Sequence, residues 1–212
     1  MKTNLILFST VCGLALLPMI TFAGEESGIY FNADLGGTIM ESTPLKEFPN
    51  APPGSKVEFD PGVRLGLGGG FRFNNWVSLG GETGFSVNKV KGADVTVSQF
   101  PFFANVEFRM TNSSPLVPFI GGGPGVSFSV IGLDNDSLGN GSRLDGSASD
   151  AVFAWQAYGG VRYKINDNMS VGVAYKYFNA ESPTWDVQNT SQDIRFGKMH
   201  VHTISASFSM SF

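Results

Sequence analysis

The sequence predicts an all-β chain, an eight-stranded antiparallel up-and-down β-barrel that crosses a membrane. Three observations predict it. Alternation of apolar with small or charged residues at period two recurs eight times. The connections between these runs are alternately short and long. Finally, the chain is apolar without offering a spanning helix: mean hydropathy is +0.04 and only 15% of residues are charged. The best helical candidate after the N-terminus, Leu116 to Leu133, contains Pro118, Gly121, Gly122, Gly123, Pro124, Gly125 and Gly132. Glycine and proline both weaken a helix interior, and a closed barrel is the other way to satisfy the backbone in lipid.

The N-terminus reads as a cleaved signal peptide over residues 1–23. Lys2 gives a positive start, Leu5 to Ile20 is apolar, and Thr21-Phe22-Ala23 ends in a small residue suited to cleavage. Residues 24–212 then form one barrel domain. Cys12, the one cysteine, leaves with the signal, which excludes disulfides and thiolate metal sites from the mature chain.

Each strand follows from its alternation. In the first, Ile29, Phe31, Ala33, Leu35 and Ile39 share a face opposite Asp34. In the second, Val63, Leu65, Leu67, Phe71 and Phe73 oppose Arg64, Gly66, Gly68, Gly70 and Arg72. The third sets Leu79, Phe85 and Val87 against Ser78, Gly80, Glu82 and Ser86. The fourth sets Phe100, Phe102, Val106, Phe108 and Met110 against Gln99, Phe103, Asn105, Glu107 and Arg109. The fifth, Val117 to Ile131, is glycine-rich and its phase slips near Gly121 to Pro124, which predicts a bulge or bend there. The sixth sets Phe153, Trp155, Val161 and Tyr163 against Gln156, Tyr158, Arg162 and Lys164. The seventh sets Val171, Val173, Tyr175 and Tyr177 against Ser170, Gly172 and Lys176. The eighth begins at His200 to His202 and ends "TISASFSMSF".

Asn74-Asn75, Thr111 to Pro115 and Asn166 to Asn168 are short turns, whereas Met40 to Glu58, Asn88 to Asp94, Gly132 to Ser149 and Ala180 to Gly197 read as mostly longer loops. Short turns at one end and long loops at the other are the asymmetry of outer-membrane barrels, with turns periplasmic and loops outside. A soluble ligand-binding barrel would turn the apolar face inward. Here that face is built of phenylalanine, too bulky for a narrow lumen, so it is assigned to lipid. The charges Asp34, Arg64, Arg72, Glu82, Glu107, Arg109, Arg162, Lys164 and Lys176 are then luminal. Both signs are present, so a paired polar network filling the interior is expected, with a gated ion path as the other reading.

Other site signals are weak. Asp134, Asp136, Gly139 and Asp145 fit parts of a calcium-loop register, but Leu138 takes a ligand position, so a solvated loop is favoured. His200 and His202 share a face and suggest either metal ligation or an acyl-hydrolysing site; Ser205 and Ser207 fall on the opposite face, which favours plain rim histidines. Gly68-Gly69-Gly70 and Gly121-Gly122-Gly123 lack a following helix and are not phosphate loops. No cofactor is expected. The net charge of −4 excludes a nucleic-acid footprint.

The stretches "GIYFNADLGG", "PFIGGGPGVSFS", "WQAYGGVRYKINDNMSVGVAYKYF" and "SFSMSF" resemble the small outer-membrane β-barrel proteins of Gram-negative bacteria, similar to the OmpA transmembrane domain and opacity-type surface proteins. The resemblance covers Ser27 to Phe212. It implies an outer-membrane location and contact with lipid and lipopolysaccharide. It implies an insertion signal at Phe208, Met210 and Phe212, read by the barrel assembly machinery. The expected protein is a non-enzymatic monomer with a structural or surface-interaction role, adhesion or envelope integrity, carried by loops that meet host or surface ligands. A narrow solute channel and a lipid A-modifying enzyme are the rivals. No cell-wall-binding domain is expected after the barrel.

Overall fold

The computed structural model describes residues 27–47, 52, 54–110, 113–137, 143–185 and 194–212. The signal-peptide residues 1–23 and positions 138–142 of the calcium-loop register lie outside the described residues.

The wall strands are β1 (Gly28–Met40), β4 (Gly62–Arg72), β5 (Val77–Lys89), β6 (Val95–Arg109), β7 (Leu116–Ser137), β8 (Arg143–Lys164), β9 (Met169–Ala180) and β12 (Met199–Ser211). They close in the order β1-β12-β9-β8-β7-β6-β5-β4, with β4 returning to β1. Every pairing is antiparallel, and the last strand meets the first through Leu35 opposite Ala206 and Ala33 opposite Phe208. Closure leaves no wall edge unpaired, which a bilayer requires.

Alternation fixes the two faces. Phe31, Leu35, Leu65, Leu67, Phe102, Phe153, Val173 and Ile204 are exposed on the outside, while Asp34, Arg64, Glu82, Gln99, Glu107, Gln156 and Lys176 are buried inside. A barrel with an apolar exterior and a polar interior is built for lipid, not for water.

Several sequence expectations need correction. The predicted bulge at Gly121 to Pro124 does not occur: β7 keeps one register with β8 from Leu116 opposite Tyr163 to Leu133 opposite Gly146, and the shift comes after Leu133. The inward side of β7 simply changes character, from buried Val117 and Phe119, through Gly121, Gly123 and Gly125, to buried Ser127 and Ser129. The predicted loop Gly132 to Ser149 is largely strand, since β7 runs to Ser137 and β8 begins at Arg143, so the wall hairpin continues past its neighbours. Its stacked backbone pairs replace a free loop.

The connections Met40 to Glu58 and Ala180 to Gly197 also hold strands: β2 (Thr43–Glu47), β3 (Lys56–Val57), β10 (Thr184–Trp185) and β11 (Ile194–Phe196). They pair in the order β10-β11-β2-β3 as a small second sheet over the long-connection mouth. Trp185 and Ile194 are fully buried, and with Phe196 they pack on the luminal apolar residues Met40, Val97, Phe178 and Met199. The Trp185 and Phe196 rings meet edge to face at 4.9 Å, and Trp185 Nε1 donates to the Ser129 carbonyl at 2.9 Å.

Candidate functional site

Three tiers follow one another down the lumen, and each is set by which inward residues the register brings to the same height. Nearest the long connections is the apolar tier just described, with Phe103 and Phe178 edge to face at 5.8 Å. No sequence pattern marked it, because Val95, Val97, Phe178 and Met199 are inward residues that happen to be apolar.

Below it lies a four-charge cluster. Lys176 Nζ on β9 donates to Asp34 Oδ1 on β1 and to Glu82 Oε1 on β5, both at 2.7 Å. Arg64 Nη2 on β4 donates to the same Glu82 oxygen at 2.5 Å, and its Nε lies 3.6 Å from Asp34 Oδ2. Glu82 Oε2 accepts from Gln156 Nε2 at 3.1 Å and Asn105 Nδ2 at 3.3 Å. Two cations and two anions thus cancel, and the Gln156 and Asn105 amides satisfy Glu82 Oε2, while Asp34 Oδ2 and Arg64 Nε face each other at 3.6 Å without a hydrogen bond. Gly66 makes room: a Cβ there would sit 2.6 Å from Asp34 Oδ1.

Closer to the short turns, Arg162 and Glu107 form a bidentate pair at 2.5 and 2.8 Å. The Arg162 guanidinium lies 3.8 Å from the centre of the Phe119 ring. Between the two ionic groups the lumen leaves a cavity of about 20 Å³, lined by Tyr30, Asp34, Glu82, Glu107, Tyr158 and Lys176. That holds about one water.

The structure therefore brings Asp34, Arg64, Glu82 and Lys176 together, pairs Glu107 with Arg162, and separates the remaining three expected charges. Arg72, Arg109 and Lys164 border a wider cavity of about 370 Å³ at the short-turn mouth. Lys164 is exposed there rather than enclosed, because β8 ends at this residue. Sequence reasoning missed Gln156 and Asn105 as members of the cluster; both were legible as inward polar residues.

The histidines face outward at the opposite rim. Tyr175 Oη lies 2.6 Å from His202 Nδ1, and His202 Nε2 lies 2.7 Å from Glu41 Oε1. His200 Nδ1 is met by Tyr177 Oη at 2.6 Å and Asn179 Nδ2 at 2.8 Å. The Tyr175 hydroxyl donating to Nδ1 leaves the His202 N–H on Nε2, from where it donates a hydrogen bond to the Glu41 carboxylate. That bond holds the Glu41 carboxyl below its ordinary range. Ser205 is buried on the luminal side, away from both imidazoles. Among the described residues, no group of three or more His, Cys, Asp or Glu side chains is placed to hold a metal ion.

Phe208 on β12 and Phe212 just past its end are exposed on the lipid side, and the Phe212 ring meets Phe31 edge to face at 6.2 Å. Met210 is half-buried opposite Phe31 in the seam.

Comparison with known proteins agrees with this architecture. The family model described as outer membrane protein beta-barrel domain matches residues 9–212. The outer membrane protein PagN of Salmonella typhimurium (strain LT2) is 26% identical over 202 residues, covering 82% of this chain and 83% of that protein. Among solved structures, Neisserial surface protein A superposes with a TM-score of 0.58 at 17% identity, covering 89% of this chain and 100% of that one. OprG from Pseudomonas aeruginosa also gives 0.58, at 16% identity, with 89% and 98% covered. A closed eight-stranded wall, apolar outside and charged inside, and a family match across nearly its whole length make this chain a member of the outer membrane protein β-barrel family, resident in the bacterial outer membrane.

Proposed function

We propose that the protein is a non-enzymatic, monomeric surface protein whose extracellular segments make the functional contacts, in adhesion or envelope integrity, and whose lumen is closed to solutes. The observation that carries this reading is the seating of Trp185, Ile194 and Phe196 in the long-connection mouth. Beneath them, the neutral cluster of Asp34, Arg64, Glu82 and Lys176 fills the interior. An ion would have to displace an apolar core and then break paired charges, both of which oppose conduction.

The β7–β8 hairpin supports a surface role. β8 pairs with β9 only from Ala154 onward, so Arg143 to Phe153 continues past that neighbour, about 35 Å of strand at some 3.3 Å per residue. An ordered hairpin presents side chains to a partner at a lower entropic cost than a free loop. Lipopolysaccharide around the wall, the barrel assembly machinery during insertion, and a host or surface ligand at the hairpin are the partners on this reading.

The test replaces residues 134–146 with a short turn. Surface expression and barrel folding should persist while attachment of the bacteria to host cells or matrix falls. Retained attachment would overturn the surface reading, and stable unitary conductance in planar bilayers would overturn the closed lumen.

A further inference from the structure

The short-turn mouth gathers cations. Arg72 from the end of β4, Arg109 from the end of β6, and Arg162 and Lys164 from β8 all line the cavity of about 370 Å³. That volume falls in the range of small-ligand sites. Of the acidic groups beside the cavity, Glu107 is committed to Arg162 through both oxygens, while Asp167 and the terminal residue Phe212 line it with the cations.

Arg109 is anchored by donating to the Asn74 carbonyl at 2.9 Å. Arg72 is steadied differently, with its guanidinium 5.6 Å from the centre of the Tyr30 ring. Among the described residues Arg72 has no carboxylate within ion-pair distance. A half-buried guanidinium with a ring beside it and a cation-lined cavity in front keeps its N–H fork available. The luminal cluster above is charge-neutral, so it makes no demand on Arg72.

We propose that Arg72, with Arg109 and Lys164 beside it, forms an oxyanion site that takes one phosphate or carboxylate group from the periplasm. A guanidinium fork matches either group with two parallel hydrogen bonds, and the concave setting strengthens the attraction over that of exposed lysines. The site sits at the opposite end from the extracellular segments and does not depend on what they bind.

Calorimetric titration of the full barrel in lipid nanodiscs tests it. The probes are inorganic phosphate and N-acetyl-D-alanyl-D-alanine, each against a constant chloride background. One saturable site is expected for at least one probe. Saturation by phosphate alone assigns a phosphate ligand, by the dipeptide alone a cell-wall-type carboxylate, and by both a general oxyanion site. Arg72→Gln should weaken binding about tenfold, and Arg72→Lys by less, because an ammonium keeps the charge but not the fork. Lys164→Gln, at an exposed position, should weaken it about threefold and serves if the Arg72 variants fail to fold. No saturable heat with either probe overturns the proposal, as does undiminished binding in folded Arg72→Gln.

Discussion

Lys176 and Glu82 join opposite walls of the barrel. Their strands, β9 and β5, stand four places apart in either direction around the ring of eight, and their side chains meet at 2.7 Å across the lumen. A barrel this narrow lets one lysine span its interior. Lys176→Met would leave Asp34 and Glu82 facing each other with only Arg64 to answer them. Losing one partner of a buried pair costs about 3–5 kcal/mol. The urea midpoint in lipid vesicles should fall accordingly, and adding Glu82→Gln should recover part of the loss. Equal midpoints for wild type and Lys176→Met would show that the cluster is not a stabilising tie.

Gly121 is held small by its surroundings. A Cβ there would lie 2.7 Å from the Tyr158 Cζ and 2.7 Å from the Val106 carbonyl oxygen. Gly121→Val should destabilise the barrel by about 1–3 kcal/mol through overpacking. Tyr158→Leu in the same chain should relieve only part of this, because the Val106 backbone cannot withdraw. Denaturant titration of both variants checks the pair.

Trp185 ties the mouth sheet to the barrel. Trp185→Ala should cost about 3–5 kcal/mol, as for other buried aromatic truncations. The wall has its own closed ladder, so the loss should appear as local opening. Protease added to intact cells should cut the variant within 181–198 far faster than wild type while the wall fragment stays protected. Unchanged cleavage would mean that the sheet holds its place without the indole.

What the sequence displays and what it hides divide along a physical line. Alternation fixes the face of a residue, so Asp34, Glu82 and Lys176 read directly as luminal. Height along the axis depends on register and strand tilt, which no single strand carries. Lys164 therefore reads like Arg162, although it ends in solvent at the strand terminus. The apparent slip at Gly121 arose because Val117 and Phe119 are inward yet apolar, so hydrophobicity misreported a register that stays regular. The mouth sheet left no signal: Thr43–Glu47 and Ile194–Phe196 are short and pair with each other from opposite ends of the chain. Glu41 meets His202 for the same reason, through the closure of β1 on β12.

Phe212 makes a seam contact, and we propose, from the family resemblance, that it also serves as an insertion signal, a role separable from the contact. Its backbone N–H donates to the Ile29 carbonyl at 2.9 Å and its ring packs on Phe31. Deleting Phe212 removes one peptide bond pair and one exposed ring, so refolding into vesicles from urea should proceed nearly as in wild type. Assembly in cells should fall severalfold if the aromatic end is read by the insertion machinery. Equal losses in both assays would leave the seam as its whole role.

The Glu41–His202 contact makes an acid-side prediction. The His202 hydrogen bond holds the Glu41 carboxyl below its ordinary value of 4.5. A depressed carboxyl contributes its stabilisation above the unfolded value, and loses it as pH falls through the lower folded value. Glu41 is exposed, so the contribution is small and salt-sensitive. In carbon-detected NMR titration, His202→Ala should return Glu41 to the ordinary carboxylate range, whereas Ser205→Ala, on the luminal face, should leave it depressed. A Glu41 titration unmoved by His202→Ala would show that the imidazole is not what holds the carboxylate.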